Sequence, residues 1–102
     1  MKRKRLLMGN AVPVLNWREA ARADLLMIVE YIADDNPDAA QELKDEIEAR
    51  VSELARFPQM YKLGRVIGTR EMVVRSNFIV VYAEDAKAVS VLRVLHAAQQ
   101  WP

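Results

Sequence analysis

The chain has 102 residues, 52% of them hydrophobic and 28% charged, with three Gly, four Pro and no Cys. A domain of this size buries enough surface to fold without disulfides or metal, and the missing thiols exclude a cysteine nucleophile, sulfur-ligated zinc and thiol redox chemistry. The net charge of +1 divides unevenly: residues 1–17 carry +4, residues 18–56 carry −6 and residues 57–102 carry +3, so one acidic segment lies between two basic ones.

In chain order, Lys2, Arg3, Lys4 and Arg5 open a basic tail whose apolar run stops at Gly9-Asn10, too short for the core of a signal peptide. No stretch approaches the ~18 apolar residues of a membrane span. The expected location is therefore cytoplasmic, with no membrane partner. Residues 1–11 read as a solvated tail or an electrostatic arm for nucleic acid, and residues 12–102 as one domain. Val12 to Trp17 reads as a short strand that Pro13 restricts to an edge or a strand start. Asn16, with Glu19 three residues on, predicts a helix cap, and Ala21, Leu25, Ile28 and Ile32 recur at helical spacing up to about Ala33. Leu26, Val29 and Tyr31 widen that stripe and predict contact on two sides.

Asp34-Asp35-Asn36-Pro37 both stops one helix and starts the next, because Asn36 can cap and Pro37 suits the first helical position. Ala40, Leu43, Ile47, Val51 and Leu54 form the second stripe, which ends before Phe57-Pro58. Glu42, Asp45, Glu46 and Glu48 fall mostly off it and read as a solvated face. Gln59 to Arg70 reads as a basic loop. Three β-branched runs follow, Glu71 to Arg75, Phe78 to Glu84 and Val89 to His96, joined by short connections that predict sequential antiparallel strands. Strict alternation in the last run places Val89, Val91, Arg93 and Leu95 on one face and Ser90, Leu92, Val94 and His96 on the other. The fold class is α+β: an N-terminal strand, an antiparallel helical hairpin and a three-stranded antiparallel sheet.

Catalytic chemistry is sparse. There is one histidine, His96, no metal-binding set, no phosphate-cradling glycine loop and no sign of a cofactor. The conspicuous group is Arg65, Arg70, Arg75 and Arg93, with Tyr61, Tyr82 and His96. Arginine recognises phosphate or carboxylate in a bidentate way, and aromatic rings can stack on bases, so RNA binding is chemically open. Metal-independent RNA cleavage would need a base, an acid and a cation at the phosphate, for which Arg75, His96 and Arg65 are the candidates. The plainer alternatives are ion pairs of Arg75 and Arg93 with acids such as Glu71, and a partly buried strand-end role for His96.

The pattern as a whole resembles the RelE/ParE superfamily of bacterial type II toxin–antitoxin toxins. The likeness is carried by Ala23-Asp24-Leu25 with Ile28 and Tyr31-Ile32, by Asn36 to Ala40, by Phe57-Pro58 with Gly64-Arg65, by Thr69-Arg70-Glu71, by the strand Phe78 to Tyr82, and by the ending Val91 to His96. The resemblance implies a toxin neutralised by a cognate antitoxin, with operator DNA bound only through the antitoxin. RelE-like members cleave mRNA on the ribosome with basic residues on the sheet, whereas ParE-like members poison DNA gyrase. RelE-like positions for an arginine and two lysines fall here at Ile79 and at about Glu71 and Val73. Arg75 matches a basic strand end, and His96 with Ala97 falls where RelE places another arginine. Nothing matches the RelE C-terminal tyrosine, since this sequence stops at Trp101-Pro102. The resemblance thus favours gyrase inhibition, with ribosome-dependent mRNA cleavage as the alternative. Arg65, Arg70, Arg75, Tyr82 and Arg93 are the expected surface for target or antitoxin, an acidic antitoxin suiting Arg65, Arg70 and Arg75.

Overall fold

The computed structural model describes residues 13–102, so the basic tail and Val12, with the readings placed on them, lie outside the described residues. The element order is β1 (Val14–Trp17), α1 (Glu19–Ala33), α2 (Pro37–Ser52) running into a 3₁₀ turn (Glu53–Ala55), β2 (Lys62–Leu63), β3 (Arg70–Val74), β4 (Phe78–Glu84) and β5 (Ala88–His96). The α+β class is as expected, but the sheet has five strands rather than three, in the order β1-β5-β4-β3-β2. The first strand joins the sheet by pairing parallel to β5, Val14 opposite Ala88 through Trp17 opposite Val91. The basic loop contributes the short strand β2, antiparallel to β3.

The second helix forms for the reasons its sequence states. Asn36 is extended and its side chain accepts a hydrogen bond from the Ala39 N–H at 3.0 Å, with Pro37 in the first turn. Ala40, Leu43, Ile47, Val51 and Leu54 are all buried. Truncating a leucine in such a stripe typically costs about 2–5 kcal/mol.

The first helix departs from expectation at its start. Arg18, not Asn16, is its N-cap and supplies no side-chain hydrogen bond. Asn16 is instead held in β1 by pairing with Ser90, a partner far away in the sequence. Ala21 and Leu25 are buried, and Ile28, Val29 and Ile32 pack at the margin of the core. Leu26, Met27 and Tyr31 remain exposed, so among the described residues the second contact read from Leu26 and Tyr31 is not made, while Val29 packs on the core.

The helices cover one face of the sheet, meeting Met72, Val74, Phe78, Val80, Tyr82, Val89, Val91 and Val94. On the opposite face Ile79, Val81 and Leu95 form a smaller cluster with Leu92 and Trp101. The alternation predicted for β5 breaks in its middle. Val81 pairs with Arg93 and Tyr82 with Val91, which leaves Leu92 as the extra residue of a β-bulge. Val89 and Val91 therefore share the helix-covered core with Val94, while Leu95 turns to the other side.

Candidate functional site

The arginines singled out in the sequence each have an acidic partner. Arg65 Nε donates to Glu71 Oε2 at 3.0 Å and its Nη2 to Oε1 at 3.2 Å, and the Arg65 backbone N–H adds a third bond to the same carboxylate. Glu71 is only 3% exposed, and the Arg65 guanidinium holds its carboxyl below the usual glutamate range. Arg70 lies 3.5 Å from Glu84 and donates to the Tyr61 carbonyl at 2.8 Å. Arg75 reaches Glu46 on α2 at 2.7 Å. Arg93 forms a bidentate pair with Asp24 on α1, at 2.7 and 2.9 Å, and lies over the Trp101 ring. Arg75 and Arg93 are thus ion-paired as the plainer reading expected, but with Glu46 and Asp24 rather than with Glu71.

Tyr82 is not part of a surface. It is wholly buried, its hydroxyl donates to the Pro58 carbonyl at 2.6 Å, and burial pushes that hydroxyl up to about 12. His96 packs edge-on against Phe78, with ring centroids 5.8 Å apart, and its Nδ1 accepts from the Ala98 N–H at 3.2 Å. The three candidates for RNA cleavage do not all converge: Arg75, just after β3, and His96, ending β5, share one end of the sheet on either side of Phe78, and Arg65 lies at the other end. Arg65 stands in the loop before β3, Arg75 follows the other end of that strand, and no hydrogen bond or ion pair joins His96 to either among the described residues.

Across the sheet face away from the helices, Glu71 opposes Val81 and Val73 opposes Ile79. Three of these, Ile79 and about Glu71 and Val73, are the positions at which the RelE resemblance would place bases. Ile79 and Val81 are buried there beneath Leu92 and Trp101, and the one charge among the four, Glu71, is neutralised by Arg65. Among the described residues no cluster of three or more His, Cys, Asp or Glu could hold a metal, and no helix is long and apolar enough to cross a membrane.

A concave site lies elsewhere. Trp17 at the end of β1, Arg22, Leu25, Leu26 and Val29 on α1, and Lys44 and Glu48 on α2 line a groove of about 240 Å³. Its lining combines the apolar Trp17, Leu25, Leu26 and Val29 with charges of both signs on Arg22, Lys44 and Glu48, a composition suited to an amphipathic segment. The widened stripe of α1 signalled this groove. The contribution of Trp17 was not legible, because it depends on β1 pairing with the last strand.

Comparison with known proteins gives the lineage. Residues 15–101 match the family model described as the ParE toxin of the type II toxin–antitoxin system parDE. Protein Y4kP of Sinorhizobium fredii is 35% identical over 88 residues, covering 86% of this chain and 92% of that protein. Toxin RelE2 of Caulobacter vibrioides is 31% identical over 83 residues, covering 81% of this chain and 93% of that toxin. Among solved structures, a chain of the chromosomal ParDE system from P. aeruginosa superposes with a TM-score of 0.75 at 22% identity, covering 83% of this chain and 96% of its own. A chain of the RelBE2 toxin–antitoxin complex from Mycobacterium tuberculosis gives 0.55 at 23% identity, covering 84% and 99%, and both likenesses show a shared fold. By the family match and by its relatives, this chain belongs to the ParE toxin family of type II toxin–antitoxin systems, within the RelE/ParE superfamily.

Proposed function

We propose that the protein is a toxin that stops growth by binding DNA gyrase, and that a cognate antitoxin neutralises it by laying an apolar segment in the groove between β1, α1 and α2. The observation that carries the gyrase reading is the composition of the sheet face away from the helices. Cleavage of RNA without a metal needs a base, an acid and a cation converging on one phosphate. Here that face offers Val73, Ile79, Val81 and a neutralised Glu71, while Arg65 stands at the opposite end of the sheet from Arg75 and His96, and each of the three is engaged. Such a molecule acts by occupying a surface rather than by turning over a substrate.

The antitoxin reading rests on the groove and on Leu26, Met27 and Tyr31, large apolar side chains of α1 that are exposed to solvent. The solved ParDE and RelBE2 systems to which the fold is similar are toxin–antitoxin assemblies. Arg65, Arg70 and Arg75 contribute less to an acidic partner than their charge implies, since each would have to leave an internal carboxylate first.

The test is growth arrest on induction in cells. A toxin carrying Arg75→Ala and His96→Ala together is expected to arrest growth as the parent does, and Leu26→Asp is expected to escape neutralisation by the co-expressed antitoxin. Loss of arrest in the double variant, with its melting temperature retained, would return the nuclease reading to first place.

A further inference from the structure

We infer that the β2–β3 hairpin is the element that engages the toxin's target, inserting Ile67 into an apolar pocket rimmed by acidic groups on a protein partner. Four of the large apolar side chains exposed on this molecule, Phe57, Met60, Leu63 and Ile67, fall within eleven residues of chain, and Ile67 at the turn is fully exposed. A loop tip ordinarily carries polar residues, because an apolar side chain held in water gains nothing from folding.

This tip is also held rigidly. The Gly64 N–H donates to the Thr69 carbonyl at 2.7 Å, the Thr69 N–H to the Val66 carbonyl at 3.1 Å, and the Thr69 hydroxyl to the same carbonyl at 2.6 Å. Gly68 takes a φ of +88°, open to glycine but strained for other residues, and a Cβ at Gly64 would collide with the Thr69 hydroxyl. The Arg65–Glu71 pair then clamps the loop to β3 by three bonds to one buried carboxylate. A loop fixed this thoroughly around an exposed isoleucine is preorganised for docking, since little conformational freedom is left to lose on binding.

Shape and charge select the occupant. Residues 59–70 contain Lys62, Arg65 and Arg70 and no acid; Glu71 and Glu84 pair with the two arginines, so the exposed Lys62 leaves the hairpin with a net positive charge that suits an acidic partner. The branched aliphatic tip has nothing to stack on a base, and the exposed ring of Phe57 lies outside the hairpin with Arg56 over it, which favours protein over nucleic acid. The hairpin is convex and lies at the β2 edge of the sheet, whereas the groove with Trp17 is concave and lies toward the β1 edge. A convex tip fills a pocket on a larger body, while a groove takes a segment, so the two sites suit two different partners. The inference rests on the reading of the protein as a surface-acting toxin.

The experiment compares the full-length parent with Ile67→Asp, Ile67→Val and Gly64→Ala in three assays: inhibition of purified DNA gyrase, cleavage of mRNA on programmed ribosomes, and affinity for the cognate antitoxin. Thermal melting verifies that each variant folds. In whichever inhibition assay the parent is active, Ile67→Asp is expected to weaken inhibition by at least about tenfold, the effect of removing an interface anchor. Ile67→Val should stay within about twofold of the parent, and Gly64→Ala, which keeps the isoleucine but displaces it, should lose activity as Ile67→Asp does. Antitoxin affinity should not change in any of them. Inhibition retained by a folded Ile67→Asp would overturn the inference, as would a parallel loss of antitoxin affinity, which would assign the hairpin to the antitoxin. If the parent cleaves mRNA and spares gyrase, the gyrase reading fails, and the hairpin is then judged by its variants in the ribosome assay.

Discussion

The two edges of the sheet use the same chemistry to opposite ends. Beyond Trp17 the strand β1 stops, and the edge of β5 would be bare. The Asp24 carboxylate from α1 takes its place, accepting from the Val94 N–H at 2.9 Å while pairing with Arg93. At the other edge the Glu71 carboxylate likewise binds one backbone N–H and one guanidinium, both belonging to Arg65. The first arrangement closes an edge and ties a helix to it. The second braces a loop that carries an apolar side chain into solvent. An arginine–carboxylate pair with an added backbone bond is thus a fastening whose consequence depends on what it fastens, and counting ion pairs would not separate the two.

Breaking the closed edge should have the largest effect on stability. Asp24→Ala leaves the Val94 N–H without its partner and strips Arg93 of its carboxylate, and should destabilise the fold by about 1–3 kcal/mol. Urea unfolding would measure it, and amide exchange at Val94 should accelerate even under native conditions.

The projecting edge should respond to acid instead. The carboxyl of Glu71 lies below its ordinary range in the folded protein, so its contribution is fully present above the usual glutamate range and is lost as pH falls through the lowered folded value. The melting temperature of the parent should fall across that acid window, and Glu71→Gln should flatten this part of the profile.

Alkali probes how the hairpin edge is anchored to the core, through the Tyr82 hydroxyl on Pro58. The folded value near 12 lies above that of a free tyrosine, so the folded state holds its proton longer than the unfolded one and stability declines as pH rises from about 10 to 12. Tyr82→Phe should remove that decline and cost about 1 kcal/mol at neutral pH.

The smallest expected effect lies at the β3–β4 turn, where Arg75 and Ser76 adopt φ of 54° and 61°. These values are left-handed and unfavourable for both residues, so Ser76→Gly should stabilise by about 0.5 kcal/mol, measurable as a raised denaturation midpoint with unchanged slope.

What could be read from the sequence was what neighbouring residues decide. The cap at Asn36, the proline after it and the stripe from Ala40 to Leu54 are local signals, and each stands in the structure as its spacing stated. The strands Phe78–Glu84 and Ala88–His96 were legible for the same reason. Asn16 looked like a cap because Glu19 follows it, but parallel pairing with Ser90 draws it into the sheet, and that competitor lies at the far end of the chain. The bulge at Leu92 was equally hidden, since each residue of β5 suits either face and only the register with Val81 and Tyr82 decides. At the candidate sites the arginines were visible but their partners were not, Asp24 and Arg93 being separated by 69 positions. One signal was available and unused: an acid directly before Met72-Val73-Val74, where a strand is otherwise apolar, is a buried carboxylate that must have a cation, and Arg65 supplies it.

The measurement that bears most directly on the central claim adds purified toxin, freed of antitoxin, to DNA gyrase and separately to ribosomes programmed with a defined mRNA. A toxin that acts by occupying a surface is expected to inhibit supercoiling and leave the mRNA intact. Cleavage of the mRNA with supercoiling unaffected would contradict the account and make Arg75 and His96 the first residues to test.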